Sequence, residues 1–471
     1  MNLQENILVY NQLDFIVKAP KFTISFSYTD GKGLSFMREY ILRLLYLTAC
    51  TREQIANYFG LNQKETEIAL EDLFAKKWIE DSLMGQVQLS VEGLKLFQHG
   101  EGLPRLFSLH NKNIDCYMEL VGENFLKNNI NKNKKHAIEL TPPHQILAES
   151  KKVVSRNFQN RFLELKEDGL VDLDNDKAEI YKIDDVNNFS NNSYFRFKQS
   201  FTLDYDGNQL DRNTIESVKD RDDLEQAVTK ELMKFKNSNN IRDLMNSMGQ
   251  IDDDETLKII VDGKFNRIQY EAANNSLEEG KGGYFIGQTY HQKIIESTLD
   301  KIFKDLKKEI TQPPKKLFWM APSDIYWGAQ EDVQNLLNLL SENATFQENN
   351  EKKRLYDFRL YLPLESSRDK HAKNRWLYEF NNGEIKSSLY GFKEGFLNGN
   401  TEIIILESHF LGICYHAKLP QYDVTLPIGF FTCVPEKVNT VFQLINGYLS
   451  SIKYEEDENK NINDYGKLVA L

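Results

Sequence analysis

The stretch RDKHAKNRWLYEFNNGEIKSSLYGFKEGFLNGNTE, Arg368 to Glu402, with the apolar run Ile403 to Leu406 after it, decides how this chain is read. His371, Lys373 and Arg375 alternate, Asn381-Asn382-Gly383 has the composition of a tight turn, and Ile385 to Phe392 reads as a return segment. This pattern predicts two short strands around a turn. Residues two apart on a strand share a face. The imidazole of His371 and the ammonium of Lys373 would then converge on one phosphate, the ring as nucleophile or acid and the lysine as charge clamp.

The same residues resemble the active-site hairpin of the phospholipase D superfamily of nucleases and phosphodiesterases. That family carries His-x-Lys on a strand, Gly-Ser-x-Asn on the return strand, and Asn-x-Glu before a further apolar strand. Here His371-Ala372-Lys373, Ser387-Ser388-Leu389-Tyr390 and Asn400-Thr401-Glu402 follow in that order. The chain departs from the pattern at Tyr378, where many members carry Asp, at Ser387 in place of glycine, and at Tyr390 in place of the asparagine that helps hold phosphate. The resemblance implies His371 as nucleophile, Lys373 as phosphate ligand, and Ser388 and Glu402 in support. It implies no cofactor and no metal, because the family chemistry runs through histidine. Family enzymes pair two such hairpins, so an active form is expected to be a homodimer joined near His371. The departures keep open a degenerate lobe that binds without cutting.

His-x-Lys recurs at His110, His291 and His416, so half of the eight histidines carry it and the tripeptide alone has little weight. His291 opens an amphipathic helical pattern, the wrong setting for a strand-borne pair. His416-Ala417-Lys418 has Asp423 at the family spacing and is a rival register for the site.

The chain has 471 residues, 41% of them apolar, enough for several cores and about three domains. Its apolar runs are strand-sized, and the N-terminus lacks a basic start followed by a long apolar region, so a soluble, cytoplasmic protein with no membrane contact is expected. The four cysteines, Cys50, Cys116, Cys414 and Cys433, are scattered without a Cys-x-x-Cys pair, and indicate neither a disulfide framework nor a zinc site. A net charge of −12 argues against coating nucleic acid over the whole surface, so any such contact must be local.

Residues 1–34 read as a small N-terminal sheet. Residues 35–100 read as three helices, a tight turn at Gly60, and a strand with Leu89-Ser90-Val91-Glu92-Gly93 leading to a last helix, similar to a marR-like winged helix-turn-helix. That resemblance implies DNA binding. The expected recognition helix, however, carries Glu65, Glu67, Glu71 and Asp72, which would face phosphate in a groove. Docking of a protein partner is the reading its residues favour, with a DNA reader as the alternative. Residues 101–312 read as an α+β middle domain, in which Tyr194-Phe195-Arg196-Phe197-Lys198 could stack or clamp nucleic acid or be an edge strand with a solvated basic face. Gly280-Lys281-Gly282-Gly283 lacks the spacing and the Ser or Thr of a P-loop, and Asp252 to Glu255 lacks the glycine and distal glutamate of a calcium loop. Pro313-Pro314 marks a boundary. Residues 313–454 then form the phospholipase D-like α/β lobe, and an acidic tail, 455–471, is expected to be a mobile end.

The expected fold is thus α/β and multidomain: an N-terminal winged helix, an α+β middle domain and a C-terminal phospholipase D-like lobe. The expected activity is that of a prokaryotic nuclease or phosphodiesterase, in a restriction or anti-phage setting that the resemblance implies. A degenerate nucleic-acid- or partner-binding adaptor and a winged-helix transcription regulator are the alternatives.

Overall fold

The computed structural model describes residues 7–97, 104–127, 130–173, 178–190, 192–212, 215, 222–234, 239–277, 281–308, 313–348, 351–380, 383, 385–454 and 460–471. It is a mixed α/β structure with several sheets. No helix among the described residues is long and apolar enough to cross a membrane.

An eight-stranded mixed sheet carries the C-terminal half. Its order is Gly282–Ile286, Leu426–Thr432, Phe410–Ala417, Thr401–Leu406, Lys315–Met320, Tyr356–Leu364, Leu389–Lys393 and Asp464–Lys467. Tyr356–Leu364 runs parallel to both of its neighbours, and the other pairs are antiparallel. The central strands Thr401–Leu406 and Phe410–Ala417 are buried along their whole length. That explains their unbroken apolar runs, because a strand covered on both faces has no solvent side to alternate toward. Alternation survives in what each residue meets. Ile403, Ile405, Ile413 and Tyr415 enter one core with the Pro435–Ser450 helix, whereas Ile404, Leu406 and Cys414 enter another with Trp319 and the Lys293–Leu306 and Val333–Glu342 helices.

Three boundaries differ from those expected. Gly282–Ile286 and the Lys293–Leu306 helix belong to the large sheet and its cover, so the lobe begins before Pro313. The C-terminal segment is not wholly a loose end: residues 455–459 lie outside the described residues, but Asp464–Lys467 adds an edge strand and Leu468 is fully buried. The first two strands form no sheet of their own. Leu8–Lys18 sits in a four-stranded sheet with Tyr194–Leu203, and Lys21–Gly33 lies in a second one between Arg105–Met118 and Ala178–Ser190.

Residues 35–97 are inserted at the end of that second pairing, where Gly33 faces Arg105. Helices Phe36–Leu47, Arg52–Phe59 and Gln63–Ala75 enclose a core of Ile41, Leu45, Ile55, Leu70 and Leu73, and a hairpin of Ile79–Asp81 with Val87–Leu89 follows. Local chemistry sets each break. Thr51 and Asn62 both make capping boxes, with Gln54 and Glu65, and Gly60 takes the left-handed conformation, φ 67°, that ends the second helix. The Leu-Ser-x-x-Gly element is equally mechanical. Ser90 Oγ accepts the Gly93 N–H at 3.0 Å, and a Cβ at Gly93 would lie 2.0 Å from the Trp78 carbonyl oxygen, so only glycine fits there.

The expected hairpin at His371 is the principal correction. Lys370–Glu379 is a helix, and the return segment is a 3-10 turn, Ile385–Ser388, before the strand Leu389–Lys393. Asn381 and Asn382, the expected turn, lie outside the described residues. Asp369 caps the helix by accepting the Ala372 N–H at 3.0 Å, and no residue from Lys370 to Glu379 is β-branched. Trp376 and Phe380, four apart, are the buried pair, so the period is helical rather than two. Topology agrees with this. Tyr356–Leu364 and Leu389–Lys393 are parallel neighbours, and parallel strands need a crossover that a tight turn cannot supply. In the middle region, Asp254–Ile259 is a helix that runs directly into the two-residue strand Ile260–Val261.

Candidate functional site

The four residues expected to be catalytic do not form one site. His371 is exposed and Lys373 half-buried on the same helix, where residues two apart point about 200° away from each other. Ser388 ends the 3-10 turn before Leu389–Lys393, and that strand lies three places from the strand of Glu402, about 14 Å across the sheet. Glu402 alone lies among functional-looking partners, at the fully buried centre of the sheet.

What gathers around Glu402 comes from distant parts of the sequence. In the antiparallel register Glu402 faces Cys414, and His416 lies two residues further along on the same face. The His416 Nδ1–H donates to Asp324 Oδ2 at 2.8 Å, and His416 Nε2 lies 3.6 Å from Glu402 Oε2. Glu402 Oε1 accepts three hydrogen bonds, from Thr289 Oγ1 at 2.6 Å, Trp319 Nε1 at 2.7 Å and Trp327 Nε1 at 2.9 Å. Asp324 Oδ1 accepts from Thr425 Oγ1 at 3.1 Å. His416, Glu402 and Cys414 are all 0% exposed.

The charges support one another. Burial pushes the Asp324 carboxyl up, but the hydrogen bond and charge of His416 outweigh it and hold the group below its ordinary range. Burial likewise pulls His416 down, and its contacts with Asp324, Cys414 and Glu402 more than reverse that, raising it well above the usual imidazole range. With burial the leading effect, the Cys414 thiol is pushed up to about 11. The cluster is therefore a desolvated ion group whose members depend on each other.

The rival register at His416 is strand-borne, as the family pattern requires, but its other members diverge. Lys418 is half-buried at the strand end, and Asp423 accepts from Gln209 Nε2 at 2.7 Å while its own N–H donates to Gln209 Oε1. The basic face at Tyr194–Lys198 is also engaged: Arg196 pairs with Asp14 at 2.7 Å and Glu331 at 3.0 Å, and Lys198 with Asp332 at 3.1 Å. Its aromatic residues Phe195 and Phe197 face the core.

Beside Trp327 a recess of about 190 Å³ is lined by His136, Trp327, Arg375, Trp376, Glu379 and Phe380, among others. His136 fixes its wall in a single neutral tautomer. Nδ1–H donates to the Gly328 carbonyl at 3.1 Å, which leaves Nε2 to accept from Gln334 Nε2 at 2.6 Å. Burial, the leading cause, lowers its pKa to about 4. Since the folded form stays neutral while the unfolded chain takes up a proton below about pH 6.5, this residue's contribution is complete above that pH and falls away toward pH 4, by about 3 kcal/mol in all. Urea midpoints at pH 7 and pH 4.5 should therefore separate more for the native chain than for His136→Gln, and equal separations would contradict this assignment.

Sequence reasoning found Glu402 and weighed His416, but missed Asp324, Cys414 and the two tryptophans. The available signal was Cys414-x-His416 inside an otherwise apolar strand, which puts two polar donors on one buried face. No family model, curated protein or solved structure matches the chain.

Proposed function

We propose that this chain is a binding protein, not a cutting enzyme: a catalytically degenerate phospholipase D-like lobe joined to a winged helix-turn-helix unit that docks a protein partner. The observation that carries this reading is the complete burial of His416, the strand-borne histidine, together with Asp324 and Glu402. A nucleophile must reach phosphorus in line, and a ring with no exposed surface cannot. His371, the exposed histidine of the expected motif, does not share a face with Lys373.

The docking half of the proposal rests on the outer surface of residues 35–97. The exposed face of the Gln63–Ala75 helix presents Lys64, Glu67, Ile68 and Glu71, and the hairpin tip is the fully exposed pair Leu83-Met84. Arg38 and Arg52, cations that could meet phosphate, are paired with Asp72 at 2.8 Å and Asp81 at 2.8 Å. An acidic helix and an apolar wing tip suit a protein surface better than a polyanion. A restriction or anti-phage setting, the one implied by the resemblance, belongs to this proposal as the context for such an adaptor.

A second reading is supported by the Asp324–His416 bond, which orients an imidazole as a nucleophilic or acid–base group requires. In that reading the lobe opens on binding, His416 attacks, and a second chain supplies the second histidine. The adaptor reading, by contrast, predicts that the purified full chain leaves single- and double-stranded DNA and RNA intact and binds duplex DNA only weakly, with strong salt dependence and no preferred motif. A tight sequence motif selected at physiological salt would instead favour the regulator.

A further inference from the structure

A carboxylate oxygen of Glu402, Cys414 Sγ and a ring nitrogen of His416 lie within 4.8 Å of one another in the buried centre of the sheet. Glu402 Oε2 and His416 Nε2 are both buried without a hydrogen-bond partner, although they face each other at 3.6 Å. That is too long for a hydrogen bond. It is close to the ~3.4 Å between two ligand atoms that each sit 2.0–2.1 Å from a tetrahedral ion. The two atoms face each other as a long ion pair, yet neither makes a hydrogen bond, and such a gap at this depth is costly unless something lies between them.

The remaining atoms of both side chains are already committed. Three donors, Thr289, Trp319 and Trp327, saturate Glu402 Oε1 and leave Oε2 pointing to the histidine. Asp324 holds His416 Nδ1–H and so leaves Nε2 as the free ring atom. A carboxylate on the far nitrogen of a histidine, and hydrogen bonds on the non-ligating oxygen of a carboxylate, are what orient the ligands of a bound metal. Cys414 brings a third donor of a different kind from the facing strand position. One sulfur, one nitrogen and one oxygen donor form a mixed set that suits zinc better than magnesium or calcium, which take oxygen ligands.

We propose that Glu402, Cys414 and His416 bind one Zn²⁺ ion between the strands Thr401–Leu406 and Phe410–Ala417. The ion takes the place of two protons, one from Cys414 Sγ and one from His416 Nε2, which leave to solvent, so the charge of the cluster is unchanged. Three protein donors leave the fourth tetrahedral position to a water molecule. The ion ties the two central strands together and stabilises the folded chain by mass action. This proposal does not depend on the adaptor reading.

The test uses the purified full chain, stripped with chelator and titrated with Co²⁺ and then Zn²⁺. One Co²⁺ should bind per chain with a thiolate-to-cobalt charge-transfer band, Zn²⁺ should displace it, and Zn²⁺ should raise the thermal midpoint of the stripped protein. Cys414→Ser should abolish the band. Trp327→Phe removes one of the three hydrogen bonds to Glu402 Oε1 and thins the packing beside Trp376 and Phe380; the variant, checked for native circular dichroism, should weaken Zn²⁺ binding roughly tenfold. Folded native chain that binds Co²⁺ without a thiolate band, or whose thermal midpoint ignores Zn²⁺, would overturn the proposal. So would Cys414→Ser or Trp327→Phe with native affinity.

Discussion

Asp324→Ala should destabilise the metal-free chain by about 3–5 kcal/mol, because it leaves the buried His416 ring without the carboxylate that holds its Nδ1–H. The loss is larger than that of an ordinary hydrogen bond for a specific reason. His416 and Asp324 are both removed from water, and each is the other's closest charged partner. Thr425 Oγ1 also loses its acceptor, which adds to the cost. Urea unfolding of the native chain and the variant in chelator, with unchanged slope, measures the difference. A loss below about 1 kcal/mol would mean that the pair is not desolvated as the geometry requires.

Gly93→Ala is the second large effect. The added methyl would overlap the Trp78 carbonyl oxygen at 2.0 Å, and that carbonyl is itself held by the Ser90 N–H at 3.0 Å. Backbone cannot move aside cheaply there, so the last helix, Val91–Lys95, must separate from the hairpin, at a cost of about 3 kcal/mol. Loss of protection from hydrogen exchange should appear in residues 79–97 while the eight-stranded sheet keeps its protection. Native protection in residues 79–97 of the variant would contradict the packing described.

The contrast between these two regions shows what the sequence could convey. Residues 35–97 were legible because every decision in them is local: a capping box at Thr51, another at Asn62, a left-handed glycine at Gly60, and the Ser90 cap with its obligatory Gly93. The His371 segment misled for a local reason as well. Exposed polar residues alternate by chance on a helix as readily as on a strand, and the decisive signals were the less conspicuous ones, the Asp369 cap and the Trp376–Phe380 spacing. The parallel pairing that calls for a long crossover there, most often helical, is a long-range fact that no window of sequence contains.

The site was legible only in part. Glu402 stood in a motif and His416 in a tripeptide, but their meeting depends on the register of two strands. Asp324 lies in the turn after Lys315–Met320, 92 positions from His416, and nothing in its neighbourhood marks it. The boundary at Pro313 failed for a similar reason, since Gly282–Ile286 joins the sheet by pairing with Leu426–Thr432 from the far end of the chain.

The most direct measurement is a cleavage assay on the purified full chain beside His416→Ala, with single- and double-stranded DNA and RNA, in chelator and with added Zn²⁺. A sealed, non-cutting lobe predicts no products above background from either protein under any condition. Cleavage by the native chain that disappears in His416→Ala, with the variant still folded, would contradict it and establish the sheet as an active site.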